Sequence, residues 1–216
     1  ATFKAYNIRV EKSAYVFDVQ TPTETIKNIA FGLPGRHNLM NALTALAMAK
    51  TYGTPTDAIV KALASFQGVQ RRFSYQIKTD NLVYIDDYAH HPTEINAVHQ
   101  AVRELYPDEK VLAIFQPHLF SRTNDFADDF AKSLSAFDEV ILLDIYPARE
   151  LPMEGVTSAW LMSKMTNPNK SLVTKENLLS TIVKNEAKII VTIGAGDIGE
   201  MVPSIKKELL EKRHKL

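Results

Sequence analysis

From residue 82 onward the chain repeats one unit: a short apolar run, a polar loop, then apolar residues at helical spacing. Apolar runs fall at 82–85, 111–115, 140–145, 171–173 and 189–193. Helical patterns fall between them at 93–105, 125–137, 158–165 and 175–184, and a last one runs from 197 to about 212. Strands that alternate with helices pair in parallel, because each crossover returns the chain to the same end of the sheet, and the helices then cover both faces. With right-handed crossovers the pattern predicts an α/β fold built on a Rossmann-like, mostly parallel sheet. Ligands of such sheets sit outside the carboxyl ends of the strands, so the loops that follow the strands are where chemistry is to be sought.

Residues 1–67 read differently. Two β-rich runs, 6–10 and 15–19, precede helical patterns at 38–52 and 56–66. The first helix carries Leu39, Leu43, Leu46 and Ala47 at helical spacing, opens after Gly32-Leu33-Pro34-Gly35 and closes near Gly53. This is too short and irregular for a self-sufficient domain. The expected division is a remnant of one domain at 1–67 and a complete domain at 68–216.

Composition narrows the function classes. Hydrophobic residues make up 45% of the 216, enough for a real core. Lys and Arg number 25 and Asp and Glu 25, so no net charge draws nucleic acid or an anionic membrane, and the basic stretch from Lys206 to Lys215 reads as a solvated helix end. The absence of cysteine excludes disulfides and a thiol nucleophile. No apolar run approaches the roughly 20 residues of a membrane span, and the first residues show no signal-peptide pattern. A soluble cytoplasmic protein is the expectation.

The densest chemistry is Asp86-Asp87-Tyr88-Ala89-His90-His91-Pro92-Thr93-Glu94, between a strand and a helix. Carboxylates there suit ribose hydroxyls or Mg²⁺, and imidazoles can donate to phosphate or carboxylate oxygens. Six scattered His, no Cys and no His-Glu-x-x-His leave no recognisable zinc ligand set. Gln116-Pro117-His118-Leu119-Phe120-Ser121-Arg122 follows the next strand and is expected to emerge beside the first loop. Arg122 suits either an anion or the helix-cap acid Asp125. Arg71-Arg72-Phe73 poses the same choice between surface charge and phosphate contact. Asn38 has the chemistry of a helix N-cap. Gly194-Ala195-Gly196-Asp197-Ile198-Gly199 has the form of a dinucleotide fingerprint, but Gly199 is followed by only 17 residues, too few for the required second strand and acid. The glycines are better read as allowing close backbone approach, with Asp197 capping the last helix.

Taken together, Gly-Arg-His-Asn-x-x-Asn-Ala (35–42), Gly-Val-Gln-Arg-Arg-Phe (68–73), Asp-Asp-Tyr-Ala-His-His-Pro-Thr-Glu (86–94), Phe-Gln-Pro-His (115–118) with Arg122, and Gly-Ala-Gly-Asp-Ile (194–198) resemble the Mur ligase family, most closely its members that join L-alanine to UDP-N-acetylmuramate in peptidoglycan synthesis. The resemblance implies an ATP- and Mg²⁺-dependent, amide-forming enzyme of three domains that works through an acyl phosphate. It further implies that His37 is associated with Mg²⁺, that Asn38 and Asn41 lie near the nucleotide base, that Arg72 approaches the terminal phosphate, and that Asp87 holds the ATP ribose. Tyr88, His90, His118 and Arg122 would line the pocket for the amino acid and the acyl phosphate, with His91 secondary. Relatives often have arginine where this chain has Leu119. The chain contains no Gly-Lys-Ser/Thr phosphate loop and has no room for a UDP-sugar domain, so the resemblance makes it the end of a central ATPase domain plus a C-terminal ligase domain, inactive without the missing domains. Two alternatives remain: a related ligase that attaches a recycled peptide to the same sugar, and a noncatalytic nucleotide- or partner-binding module.

Overall fold

The computed structural model describes residues 2–11 and 14–213. By its contacts the chain divides into two units, 1–69 with 100–107, and 70–99 with 108–216.

In the first unit, β1 (Lys4–Glu11), β2 (Ala14–Gln20) and β3 (Thr25–Phe31) form an antiparallel sheet in that order, followed by α1 (Arg36–Thr51) and α2 (Thr56–Ser65). Strand alternation turns Tyr15, Phe17 and Val19 to one side, where they pack with Ile29 and Phe31 and with Leu39, Leu43 and Leu46 of α1. Strand β3 was not anticipated. Its register shifts opposite Phe17 and Val19, and Asn28 there adopts a left-handed φ of 56°, so its apolar residues do not alternate cleanly. The bulge is held from β2 by buried Asp18, which accepts from Asn28 N at 2.8 Å and Asn7 Nδ2 at 3.1 Å.

The second unit contains β4 (Ser74–Lys78), β5 (Val83–Asp87), α3 (Pro92–Leu105), β6 (Val111–Phe115), α4 (Phe120–Asp125), α5 (Ala127–Leu134), β7 (Glu139–Leu142), α6 (Ser158–Lys164), β8 (Lys170–Leu172), α7 (Lys175–Lys184), β9 (Ile189–Ile193) and α8 (Ile198–Arg213). One six-stranded sheet runs β4-β5-β9-β6-β7-β8, parallel except for the antiparallel edge strand β4. The expected α/β sheet is therefore present. Every residue of β5, β6 and β9 is buried, as strands covered on both faces require. Strand β4 escaped the sequence reading because Ile77 is its one fully buried residue, leaving no apolar run to see. Strand β5 extends past residue 85 to include both Asp86 and Asp87, and the last helix starts at Ile198. The expected basic tail reaches Lys215, which lies outside the described residues. Among the described residues no helix is long and apolar enough to cross a membrane.

Candidate active site

Asp87, Ile193, Phe115 and Leu142 end β5, β9, β6 and β7 in matched register, so the loops that follow leave the sheet along one edge. Strand β9 lies between β5 and β6, which corrects the expectation that their loops are direct neighbours: the glycine turn stands between them. The side chains nonetheless meet across it, with the His90 and His118 rings 6.2 Å apart.

The two adjacent arginines at 71 and 72 part company. Arg71 and Phe73 both have left-handed backbone, φ 59° and 47°, a conformation that costs about 1–3 kcal/mol per residue and persists only where the surroundings fix it. What fixes it is visible. Arg71 Nε donates to Asp86 Oδ2 at 3.0 Å, its Nη2 donates to the Gly194 carbonyl at 2.6 Å, and its guanidinium lies 5.1 Å from the centre of the Tyr88 ring. Phe73 is buried and its N–H donates to Asp87 Oδ2 at 2.7 Å. Arg72, at the crest of this turn, is exposed.

The paired acids are both inside the protein. Burial pushes the Asp86 carboxyl up, against the pull of Arg71 and of Thr192 Oγ1, which donates to it at 2.9 Å. Burial likewise raises Asp87 to about 6, although its oxygens accept from the Phe73 and Ala89 amides. Asp87 thus joins the 71–73 turn to the loop after β5.

The glycine turn is filled by the protein's own side chains. A Cβ on Gly196 would collide with the Gln116 amide and come 2.7 Å from Tyr146 Cβ, and one on Gly199 would come 2.6 Å from Arg71 Cζ. No cradle is left there for a dinucleotide pyrophosphate. Nor does Asp197 cap α8 through its side chain as expected. Gln116 takes that role, its carbonyl oxygen accepting from Ile198 N at 2.9 Å while its amide donates to Asp197 at 2.7 Å. Asp197 pairs with Lys175; burial works against its charge, but Lys175 and Gln116 hold its carboxyl below the usual range.

Hydrogen bonding assigns opposite tautomers to the two central imidazoles. Arg122 Nη1 lies 3.2 Å from His118 Nδ1, and because a guanidinium can only donate, Nδ1 accepts and an uncharged His118 carries its hydrogen on Nε2. Burial, then Arg122 and His90, push the His118 pKa down and favour that uncharged form. His90 Nδ1 lies 3.0 Å from the Tyr88 carbonyl, which can only accept, and 3.4 Å from the Glu94 carboxylate, so Nδ1 carries a hydrogen and an uncharged His90 has its lone pair on Nε2. Tyr88 packs edge-on to His90 at 5.4 Å and is 39% exposed. His91 turns away: its Nδ1 accepts from Thr93 N and its ring packs on Phe126 at 4.7 Å.

The strand expected at 140–145 ends at Leu142, and in the loop that follows residues 146–150, which sequence reasoning passed over, also reach the site. Tyr146 stacks on His118 at 5.6 Å, and Glu150 accepts from Ser121 N at 2.9 Å. The segment offers no motif, and nothing in the sequence sets Glu150 apart from Asp144 and Glu154 in the same loop.

Residues 71–202 match the family model described as Mur ligase, glutamate ligase domain. The chain belongs to the Mur ligase family. Among its relatives, the UDP-N-acetylmuramate--L-alanine ligase of Flavobacterium johnsoniae is 76% identical over 98% of this chain and 47% of that protein. The protein of the same name from Flavobacterium psychrophilum is 71% identical over 97% of the chain and 47% of its own length. A crystal structure of the UDP-N-acetylmuramate-alanine ligase MurC from Thermotoga maritima superimposes with a TM-score of 0.81 at 26% identity, covering 97% of this chain and 46% of that one. The chain thus spans about half the length of the curated relatives it matches.

In this Mur ligase chain the residues expected near nucleotide and metal divide between the units. Those of the first unit sit at the start of α1. The helix is capped at Gly35, whose φ of 93° and lack of a Cβ admit the His37 ring, which a Cβ would approach to 2.7 Å. Asn38 is therefore inside the first turn and is not the N-cap; it is buried, with Nδ2 donating to the Pro34 carbonyl at 2.7 Å. His37 and Asn41 are exposed. In the second unit Asp87 retains carboxylate lone pairs beyond its two amide bonds, acceptors of the kind a ribose hydroxyl needs. Among the described residues no three His, Cys, Asp or Glu form a cation cage.

Proposed function

We propose that the chain is part of an ATP-dependent ligase that joins L-alanine to UDP-N-acetylmuramate through an acyl phosphate, in the bacterial cytoplasm, for peptidoglycan synthesis. Residues 1–67 are the end of its central ATPase domain and 68–216 its C-terminal domain. The observation that carries the reading is the meeting of the His90 and His118 rings, 6.2 Å apart beside Arg122, on a chain whose near relatives bear that enzyme's name.

ATP bound with Mg²⁺ supplies the phosphoryl group that activates the sugar's carboxylate. Toward the phosphates, Arg72 brings an exposed positive charge and His37 an imidazole for the cation. The resemblance gives Asp87 to the ribose and the exposed Asn41 to the base, whereas Asn38 is buried with its amide on the Pro34 carbonyl and is left to shape the start of α1. On the amine side, an ammonium has no lone pair with which to attack, so a proton must leave. An uncharged His90 takes it at Nε2, since Nδ1 already donates to the Tyr88 carbonyl. His118, through Nε2–H, and Arg122 donate to the oxygens on which negative charge builds. Tyr88 lines the wall through which the amino acid enters and excludes water from the hydrolysable intermediate.

The test is phosphate release by the full-length protein with ATP and UDP-N-acetylmuramate, adding L-alanine, glycine or L-alanyl-D-glutamyl peptide in turn. Release that requires L-alanine is expected. Release with the peptide alone would reassign the protein to peptide recycling, and none with any amine would leave a nucleotide-binding module.

A further inference from the structure

The turn that carries His118 and Arg122 is under strain. Leu119 has φ 73° and ψ 135°, a conformation side chains rarely adopt, and the six-residue helix α4 that follows is too short to hold it. Two restraints come from the loop after β7. Leu119 N donates to the Tyr146 carbonyl at 2.9 Å and Tyr146 N to the Pro117 carbonyl at 2.8 Å, a strand-like bridge with one residue on either side. The chain then turns, Glu150 N donating to the Pro147 carbonyl at 2.9 Å with Ala148 in left-handed backbone, and this brings the Glu150 carboxylate back onto Ser121. One of its oxygens accepts from Ser121 N at 2.9 Å and the other from the Ser121 hydroxyl. Ser121 is the residue immediately before Arg122.

We propose that Glu150 is a positioning residue for the amine side of the site: by accepting both hydrogens of Ser121 it holds the Leu119 turn closed and sets where His118 and Arg122 point. A carboxylate suits the task because one rigid group can take two donors at once. The Ser121 hydroxyl and amide, with Arg122 further away, keep the Glu150 carboxyl below its usual range, so the clamp is charged across the neutral region. With the clamp gone, the backbone bridge to Tyr146 and the bonds from Thr123 to the Leu119 carbonyl remain, but nothing from the loop after β7 holds Ser121, and a displacement of about 1 Å at reacting groups can cost about a hundredfold in rate.

The kinetic part of this inference rests on the ligase reading; its spectroscopic part does not. In the full-length enzyme, Glu150→Ala should lower kcat/KM for L-alanine by about tenfold or more while the KM values for ATP and UDP-N-acetylmuramate stay within about twofold. Glu150→Gln, which can still accept from Ser121, should recover much of the loss. Equal changes in all three constants, or none, would overturn the proposal. Ser121→Ala removes one hydroxyl only and serves if Glu150→Ala does not fold; it should shift the same constant in the same direction. Histidine ring NMR of the same proteins gives the second readout. The His118 signals should move in Glu150→Ala and those of His99 should not, and unmoved His118 signals would overturn the proposal even if the wild type released no phosphate with any amine.

Discussion

Arg71 and Arg72 have the same side chain and adjacent positions, yet one is bound to a buried acid and the other is exposed. Arg71 compensates buried Asp86, and removing one partner of such a pair strands the other, so Arg71→Ala is expected to cost about 3–5 kcal/mol in urea unfolding. Arg72→Ala should leave the unfolding midpoint almost unchanged and lower full-length turnover by about a hundredfold or more. The reverse pattern would exchange their roles. Asp87 adds a pH signature. Its folded value of about 6 stands above the roughly 3.9 of an unfolded aspartate, so the folded state binds the extra proton between them. The associated stability is full below about pH 4 and is lost as pH rises through 6, a change on the order of 3 kcal/mol. The difference in unfolding free energy between wild type and Asp87→Asn should fall over that range; a flat difference would show that Asp87 titrates normally. At this scale the sequence marked the right residue types but could not rank the two arginines, because burial is a property of the fold.

The elements were legible wherever an apolar face repeated. Strands β5, β6 and β9 and helices α3, α7 and α8 stood out, since burying those faces is what forms them. Strands β3 and β4 did not, because one is bulged and the other is a half-buried edge. The glycine turn shows how a motif changes meaning in context. Its spacing is that of a phosphate cradle, but Gln116, Tyr146 and Arg71 occupy the space the missing side chains leave. Gly196→Ala is accordingly expected to destabilise the protein by about 1–3 kcal/mol, since Tyr146 and the buried Gln116 amide must shift. Chemical denaturation would measure this, and a loss under about 0.5 kcal/mol would mean the turn is looser than its contacts indicate.

For the whole molecule, the ligase reading predicts that the 216 residues alone release no phosphate from ATP and UDP-N-acetylmuramate with L-alanine, because no phosphate loop is present. Release at the rate of the full-length protein would refute that division of labour. The sequence by itself determined the fold class and the family, since the first follows from strand and helix periodicity and the second from five motifs in order along one chain. It also named Tyr88, His90, His118 and Arg122. Only the tertiary structure decided how they are placed. The insertion of β9 between β5 and β6 set which loops face one another, and hydrogen bonds from a guanidinium and to a carbonyl set which imidazole nitrogen holds a proton. Glu150 reached Ser121 across 29 residues of sequence. Periodicity records local burial, whereas these are contacts between distant segments, which exist only after the sheet has brought its strand ends together.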